Sequence, residues 1–507
     1  MDAEDAEDAE DAVGLAGMDA QVVVVGAGPV GLLLAGELRL GGAHVVVLER
    51  RTAPITESRA STLHARTMEI FDQRGLLGPL GVPARETRGH FGGVPLDFGR
   101  LDSRYPGLWK VLQVRTEALL GQWATGLGAD VRRGHELTAL TERAGHVEAE
   151  AVGPEGTVRL RARYVVGCDG EDSTVRRLAG FGFPGSDASR ELLRADVAGI
   201  DIPDRRFQRF ADGLAVAARR ADGVTRVMVH EFAGRPEVRT GAPAFAETAA
   251  AWARVTGEDI SQGTPLWSNA FGNACRQADR YRKNRVLLAG DAAHRQMPVG
   301  GQALNLGLQD AMNLGWKLAA HVSGRAPAGL LDTYHQERHA VGARTLADIT
   351  AQAAILLGGP EVDGLRAVFE ELIAVDRAAV HLTGKISGLD TRYGGGPGDD
   401  PRLGARLPLH DLETARGPLN AAEPLRSGQG LLLCLCKDGV PDPWPRSTAA
   451  PWADRVRTVT AAPVPDGALS GAENVLVRPD GHIAWVDGDA DGLRAALGRW
   501  FGAPAGV

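Results

Sequence analysis

The sequence predicts an α/β fold: a parallel-sheet domain, an antiparallel sheet inserted into it, and a small α/β domain at the C-terminal end. Three observations carry that expectation. A complete strand, glycine turn, helix and strand occupy residues 21–49. Two further strand-to-helix turns are marked by Asp169-Gly170 and Gly290-Asp291, and short alternating segments fill the stretch between them.

In the opening unit, Val22, Val23, Val24 and Val25 are four β-branched residues in a row, as in a strand covered on both faces. Gly26-Ala27-Gly28-Pro29-Val30-Gly31 follows, then a Leu/Ala-rich helix through Leu40 that Gly41 and Gly42 end. A second buried strand, Val45-Val46-Val47-Leu48, leads to Glu49 and Arg50. The glycines have separate uses. Gly26 permits the tight turn, Gly28 lets the backbone approach a pyrophosphate, and Gly31 lets helix and strand pack closely. The helix N-terminus would turn its free N–H groups toward the phosphates, and Glu49 is placed to accept hydrogen bonds from adenosine ribose hydroxyls. Dinucleotide binding is the expectation; FAD and NAD are not separated by this unit alone.

The second turn separates them. Arg285-Val286-Leu287-Leu288-Ala289-Gly290-Asp291-Ala292-Ala293-His294 is an apolar strand ending in Gly-Asp. Pro298 and Gly300-Gly301-Gln302 follow, then a helix from about Ala303 on which Leu304, Leu308, Ala311, Gly315 and Leu318 recur at helical spacing. Here Asp291 would hydrogen-bond the ribityl chain of a flavin, and the helix N-terminus would support the negative N1–C2=O locus of a reduced flavin. The third turn, Tyr164-Val165-Val166-Gly167-Cys168-Asp169-Gly170 with Ser173, Val175 and Arg176, is another strand ending in Asp-Gly, with an ordinary strand-to-helix turn as the alternative reading.

Between about 185 and 285 the alternation of segments such as Thr225-Arg226-Val227-Met228-Val229-His230 predicts antiparallel strands in a separate layer. Helical patterns return from 302 to about 390, a Gly/Pro/Asp cluster over 394–401 predicts a linker, and apolar runs at 431–435, 456–459 and 475–477 with a final helix predict the small closing domain.

Composition narrows the partners. The formal charge is −8, but the first eleven residues carry seven acids and no base, so the remainder is close to neutral. No basic stripe exists to hold a polyphosphate backbone, and no nucleic-acid partner is expected. The acidic repeat of residues 1–17 buries almost nothing and is expected to stay disordered. The N-terminus is acidic rather than basic, so no signal peptide is expected, and no apolar run approaches bilayer length. Four cysteines (Cys168, Cys275, Cys434, Cys436) show neither CxxC nor zinc spacing. A cytoplasmic protein without metal or membrane partner fits; a homodimer is a compatible assembly.

Together the three turns, in their order and spacing, resemble the class A flavoprotein monooxygenases of the para-hydroxybenzoate hydroxylase fold. Glu57-Ser58-Arg59, His64-Ala65-Arg66-Thr67, Gln113 and Trp316-Lys317-Leu318 extend the resemblance. The segment from Gly89-His90-Phe91 to Asp97-Phe98, Ala270-Phe271-Gly272-Asn273-Ala274, and Arg499-Trp500-Phe501-Gly502-Ala503-Pro504 look like the angucycline hydroxylases of bacterial aromatic polyketide pathways.

The resemblance implies a Rossmann-like FAD-binding domain (18–184, with an excursion near 88–112, and 285–393), an inserted substrate-binding β-sheet domain (185–284), a linker (394–404) and a thioredoxin-like α/β domain (405–507). It implies FAD reduced by transient NADPH or NADH, O₂ addition to a flavin C4a-hydroperoxide, and oxygen transfer to an aromatic polyketide, in antibiotic or other secondary-metabolite biosynthesis. Gly26, Gly28, Pro29, Val30, Gly31, Glu49 and Arg50 would hold the ADP half of FAD. Arg59 and Gln113 would lie near the flavin, and Asp169 and Gly170 would belong to a shared FAD/NAD(P)H motif. Gly290, Asp291, Pro298, Gly301, Gln302, Ala303, Leu304 and Asn305 would hold the ribityl chain and the isoalloxazine. No residue is assigned as a catalytic acid, base or nucleophile; Arg59 and Pro298 would support the flavin's chemistry.

One departure stands out. The family usually has Gly where Ala303 stands, and Ala there is expected to cost a backbone conformation or a close flavin contact. His294 is expected to support its loop more than to move protons. Phe91, Trp267 and Phe271 are candidates for lining a substrate cavity, with plain core packing as the alternative. Cys434 and Cys436 are expected to be structural. A Baeyer–Villiger oxygenase on the same scaffold and a catalytically silent FAD-binding partner protein remain alternatives.

Overall fold

The structure, a computed structural model, describes residues 17–56, 60–237, 239, 241–394, 396, 398–436 and 442–505. The acidic repeat up to residue 16, and Glu57, Ser58 and Arg59, lie outside the described residues.

Strand β1 (Ala20–Val25), helix α1 (Pro29–Leu40) and strand β2 (Val45–Glu49) form the opening unit, with a short β3 (Thr62–His64) after it. Val22, Val23, Val24, Val45, Val46 and Val47 have no exposed surface. Each such side chain contributes roughly 1.5–3 kcal/mol of burial, which is why this run folds as a central strand pair. The long strand β4 (Gly156–Gly167) pairs parallel with β1 on its other side and leads to the short helix α2 (Thr174–Leu178).

The chain then leaves for a second sheet. Strands β5 (Glu191–Ala198), β6 (Arg205–Arg209), β7 (Gly213–Arg219) and β8 (Thr225–Glu231), helix α3 (Phe245–Thr256) and strand β9 (Thr264–Gly272) make an antiparallel layer in the order β6-β7-β8-β5-β9. Alternation divides its faces. Leu193, Ala195, Val197, Ala215, Ala217, Val227 and Val229 pack on Trp252 and Val255 of α3. The opposite face carries Leu192, Arg194 and Asp196 beside their cross-strand partners Phe271, Asn269 and Trp267.

Returning to the first sheet, β10 (Val286–Leu288) pairs parallel with β4, so the parallel core runs β10-β4-β1-β2 and ends on residues 130–133. Helices α4 (Gln302–Val322), α5 (Asp332–Leu357) and α6 (Asp376–Ser387) follow. The expectation that nothing approaches bilayer length needs amending, because α5 is long and apolar enough over part of its length. Half of that stretch is buried inside the fold, and α5 carries the fully buried Arg338 paired with Asp310. It is a core helix.

Near the C-terminus, residues 430–435 form a strand flanked by 456–461 and 474–477, with 483–486 at the edge and a last helix, Ala490–Phe501. This layer is joined to the first by a buried ionic cluster. Arg478 donates to Glu337 of α5 (2.6 and 2.9 Å) and pairs with Asp480, while Lys317 of α4 donates to the same Glu337 at 2.7 Å.

Candidate functional site

Four sequence features meet at one edge of the parallel sheet. Gly26 follows β1, Glu49 ends β2, Asp169 lies just beyond β4 and Gly290-Asp291 just beyond β10, so all stand at the carboxyl ends of adjacent parallel strands. Open α/β sheets bind ligands at that edge.

The three glycines of the first turn differ in what surrounds them. Gly26 has φ +106°, and a Cβ there would stand 2.4 Å from the Cys168 carbonyl oxygen. The first turn is thus packed against the third. A Cβ on Gly31 would stand 2.0 Å from the Gly26 carbonyl oxygen, whereas a Cβ on Gly28 would meet nothing within 4 Å. Gly26 and Gly31 are required by the protein itself, and Gly28 faces open space at the N-cap of α1, where Pro29 takes the first helical position. That space is what a pyrophosphate needs. Glu49 accepts the Ala27 N–H at 2.8 Å on one oxygen and the Arg51 N–H at 2.9 Å on the other, leaving lone pairs on both. Arg50 beside it is exposed.

The Gly-Asp turn closes on the same place. A Cβ on Gly290 (φ +63°) would lie 3.1 Å from a Val30 methyl, and a Cβ on Gly307 of α4 would lie 2.7 Å from it. Asp291 is exposed at this turn. Gly290 donates its N–H to Asp310 (3.1 Å), which also pairs with His294 (2.8 Å) and Arg338 (2.7 Å). Burial pushes the Asp310 pKa up, but Arg338 and His294 more than offset this and hold it below the usual carboxylate value. His294 is buried, with Nε2 against Asp310. Asp310 and Arg338 escaped the sequence reading because they lie in long helices with no motif around them.

The third turn is held by its own acid. Asp169 accepts from Ser173 Oγ (2.5 Å) and from the N–H groups of Thr174 (2.7 Å) and Val175 (3.1 Å), capping α2, while Gly170 takes φ +83°. Arg176 then reaches across to the Ala292 carbonyl at 3.0 Å, tying this turn to the Gly-Asp turn.

The segment before α4 differs from expectation in one respect. Gly300 (φ +65°) and Gly301 (φ +69°) are the left-handed residues, and Ala303 lies inside the helix. Ala303 therefore bears no backbone cost, because helical φ/ψ is what Ala favours. The Asn305 side chain is saturated: Oδ1 accepts from His64 N–H (2.8 Å) and Thr67 Oγ (2.7 Å), and Nδ2 donates to Thr62 (3.1 Å) and Gly301 (2.7 Å) carbonyls. It braces the loop, leaving any cofactor contact to the backbone. The unshared N–H groups at the start of α4 belong to Gly301, Gln302, Ala303 and Leu304. Gln302 is buried, and its Nε2 has no partner among the described residues. Pro298 is exposed between buried Met297 and Val299. Gln113 exchanges hydrogen bonds with Ala60 (2.9 and 3.2 Å), at the border of the undescribed segment that contains Arg59.

Among the substrate candidates, Trp267 and Phe271 share the sheet face away from α3, and between their rings lies the Arg194 guanidinium, 4.7 and 5.2 Å from the two centroids. Phe271 also packs with Leu192, Leu214, Met297 and Val299, so this face meets the loop that carries Pro298. Phe91 is elsewhere, in a cluster with Val94, Leu96 and Phe98, its ring 5.1 Å from Phe369. Arg194 was missed, although a lone charge in Leu192-Leu193-Arg194-Ala195 is a visible signal. Burial pushes the Cys434 thiol up to about 11, which keeps it protonated and unreactive near neutrality. No metal-holding group of His, Cys, Asp and Glu occurs among the described residues.

The donor set fits FAD: an open glycine cradle, a carboxylate with lone pairs to spare at the end of β2, an exposed aspartate and a helix N-terminus on one edge. Comparison with known proteins agrees. Residues 19–348 match the family model described as FAD binding domain, and 400–504 match that described as aromatic-ring hydroxylase, C-terminal. The chain is 42% identical to the 12-dehydrotetracycline 5-monooxygenase/anhydrotetracycline 6-monooxygenase of Streptomyces rimosus, over 96% of this chain and 100% of that one. It is 41% identical to the rifampicin monooxygenase of Streptomyces venezuelae, over 95% and 98%. Among solved structures it is similar to CabE, an aromatic hydroxylase from angucycline biosynthesis, with TM-score 0.91, 50% identity, and coverage of 96% and 100%. The chain belongs to the FAD-binding aromatic-ring hydroxylases and is a flavin-dependent monooxygenase.

Proposed function

We propose that this enzyme hydroxylates a polycyclic phenolic polyketide in antibiotic biosynthesis, consuming O₂ and NADPH or NADH. The observation that carries the reading is the contact between the Arg194, Trp267 and Phe271 face and the Met297–Val299 segment beside α4. A flat aromatic body suits the two rings, and a phenolic oxygen suits the guanidinium. The tetracycline, rifampicin and angucycline enzymes named above favour the same substrate class.

FAD, when bound, would supply the redox chemistry that couples NAD(P)H oxidation and O₂ reduction to hydroxylation, with one oxygen atom in the product and the other in water. The protein's share is binding, orientation and dryness. Gly28 and the first N–H groups of α1 would hold the pyrophosphate, Glu49 the ribose and Asp291 the ribityl hydroxyls. The start of α4 would place hydrogen-bond donors at the ring system. Leu192, Leu214, Met297 and Val299 exclude water from the junction. A phenol activates its own ring, so no side-chain base is required.

In this reading residues 18–184 and 285–393 form the Rossmann-like FAD-binding domain, 185–284 the substrate domain, and 405–507 a thioredoxin-like domain without a redox pair. The test is ¹⁸O₂ incorporation across a panel of polycyclic phenols, with NAD(P)H oxidation followed alongside. One labelled oxygen on an intact ring is expected. A labelled lactone would make the enzyme a Baeyer–Villiger oxygenase, and absence of NAD(P)H oxidation with every substrate tried would leave a silent FAD-binding protein.

A further inference from the structure

The start of α4 depends on Gly300 and Gly301, two consecutive left-handed residues without side chains of their own to fix them. Their carbonyls are held from outside. Asn305 Nδ2 donates to Gly301, and the ring of His64, from the end of β3, lies with Nε2 2.9 Å from the Gly300 carbonyl oxygen. A Cβ on Gly301 would stand 3.4 Å from the same nitrogen, so the imidazole packs beneath both glycines. The other ring nitrogen, Nδ1, lies 2.9 Å from the Ile386 carbonyl oxygen near the end of α6. His64 has no exposed surface, and its own N–H is taken by Asn305 Oδ1.

A neutral imidazole has one N–H to give to two carbonyls. Burial keeps this ring neutral, its pKa pushed down to about 4 despite the two carbonyls that favour the charged form. The choice of protonated nitrogen then matters. With the proton on Nε2 the ring holds the glycine turn; with the proton on Nδ1 it holds only α6.

We propose that His64 is a positioning residue for the flavin-facing end of α4, donating from Nε2 to the Gly300 carbonyl and so fixing the Gly300-Gly301 turn. This rests on the FAD site proposed above. Without the donor, Gly300 turns its carbonyl away and the N–H groups of Gly301 to Leu304 lose their common direction.

Two isosteric halves of the ring separate this from plain packing. The amide nitrogen of His64→Gln reaches the Nε2 position and keeps the bond to Gly300, whereas that of His64→Asn reaches the Nδ1 position and keeps the bond to Ile386. Apoprotein of the full chain is titrated with FAD by fluorescence quenching, with the visible flavin spectrum and thermal midpoint recorded for each variant. His64→Gln is expected within a few-fold of wild type, and His64→Asn about tenfold weaker or more, with a shifted flavin spectrum, at a similar thermal midpoint. Equal losses in both variants, or losses that only follow the thermal midpoint, overturn the proposal and leave His64 a core residue. Hydrogen exchange on the wild type covers the case in which neither variant folds. FAD must slow exchange in residues 62–64 and 299–304 together, and protection of one segment alone overturns the coupling. Wild-type protein that takes up no FAD overturns the site itself, an outcome distinct from an unaltered His64→Asn.

Discussion

Asp310, in the middle of α4, accepts a hydrogen bond from the backbone N–H of Gly290 at 3.1 Å, joining the helix to the turn that carries Asp291. The same carboxylate faces the fully buried Arg338 guanidinium and His294. One residue therefore joins α4 to the Gly290-Asp291 turn, two parts of the candidate cofactor site.

Asp310→Asn should test that joint. The substitution keeps the shape and removes the charge opposite a buried arginine, and breaking such a pair costs about 3–5 kcal/mol. A large drop in thermal midpoint with FAD release at lower temperature is expected. An unchanged midpoint by circular dichroism would remove Asp310 from this role.

Ala303→Gly should behave as a helix substitution. Position 303 lies in the first turn of α4 with helical backbone, so Gly costs stability, at most about 1 kcal/mol, and gains no backbone freedom that the site uses. FAD should be retained and the product unchanged. A rise in thermal midpoint on Ala303→Gly would show that the methyl group is strained after all.

Much of this site was legible from the residues, and the exceptions share a cause. Gly26, Gly28 and Gly31 announce their turn because a missing Cβ leaves a mark in sequence, and the strands before Asp169 and Gly290 announce themselves by unbroken apolar runs. Ala303 misled because the family's glycine there suggests a left-handed residue, while the left-handed positions are Gly300 and Gly301. The saturation of the Asn305 side chain, by Thr62, His64 and Thr67 about 240 residues away and by Gly301 one helical turn before it, is a property of packing that no local pattern displays. Arg194 between Trp267 and Phe271 needs the β5–β9 register, which alternation alone does not fix.

The buried ionic cluster between the C-terminal layer and α5 predicts an acid response. Burial pushes the Glu337 pKa up, but Arg478 and Lys317 outweigh it and bring the value from 4.5 to about 2. Between these values the unfolded chain binds the proton and the folded chain does not, so stability rises with pH there. The contribution is complete above about 4.5 and is lost as pH falls through about 2. Glu337→Gln should flatten the stability profile in that window, measured by denaturant unfolding at a series of pH values. A wild-type profile already flat between 2 and 4.5 would show that the cluster does not hold its charges.

Release and identification of the bound cofactor decide whether FAD lies on the glycine turn at Gly28. Purified wild-type protein should be yellow and release FAD on heating, at about one per chain. Gly28→Val should fold with an unchanged far-UV spectrum yet be colourless, because a Cβ there meets nothing within 4 Å in the protein itself but fills the space left for the pyrophosphate. Release of FMN in place of FAD, or a wild-type protein that stays colourless after reconstitution, or a Gly28→Val variant that holds FAD as tightly as wild type, would contradict the account.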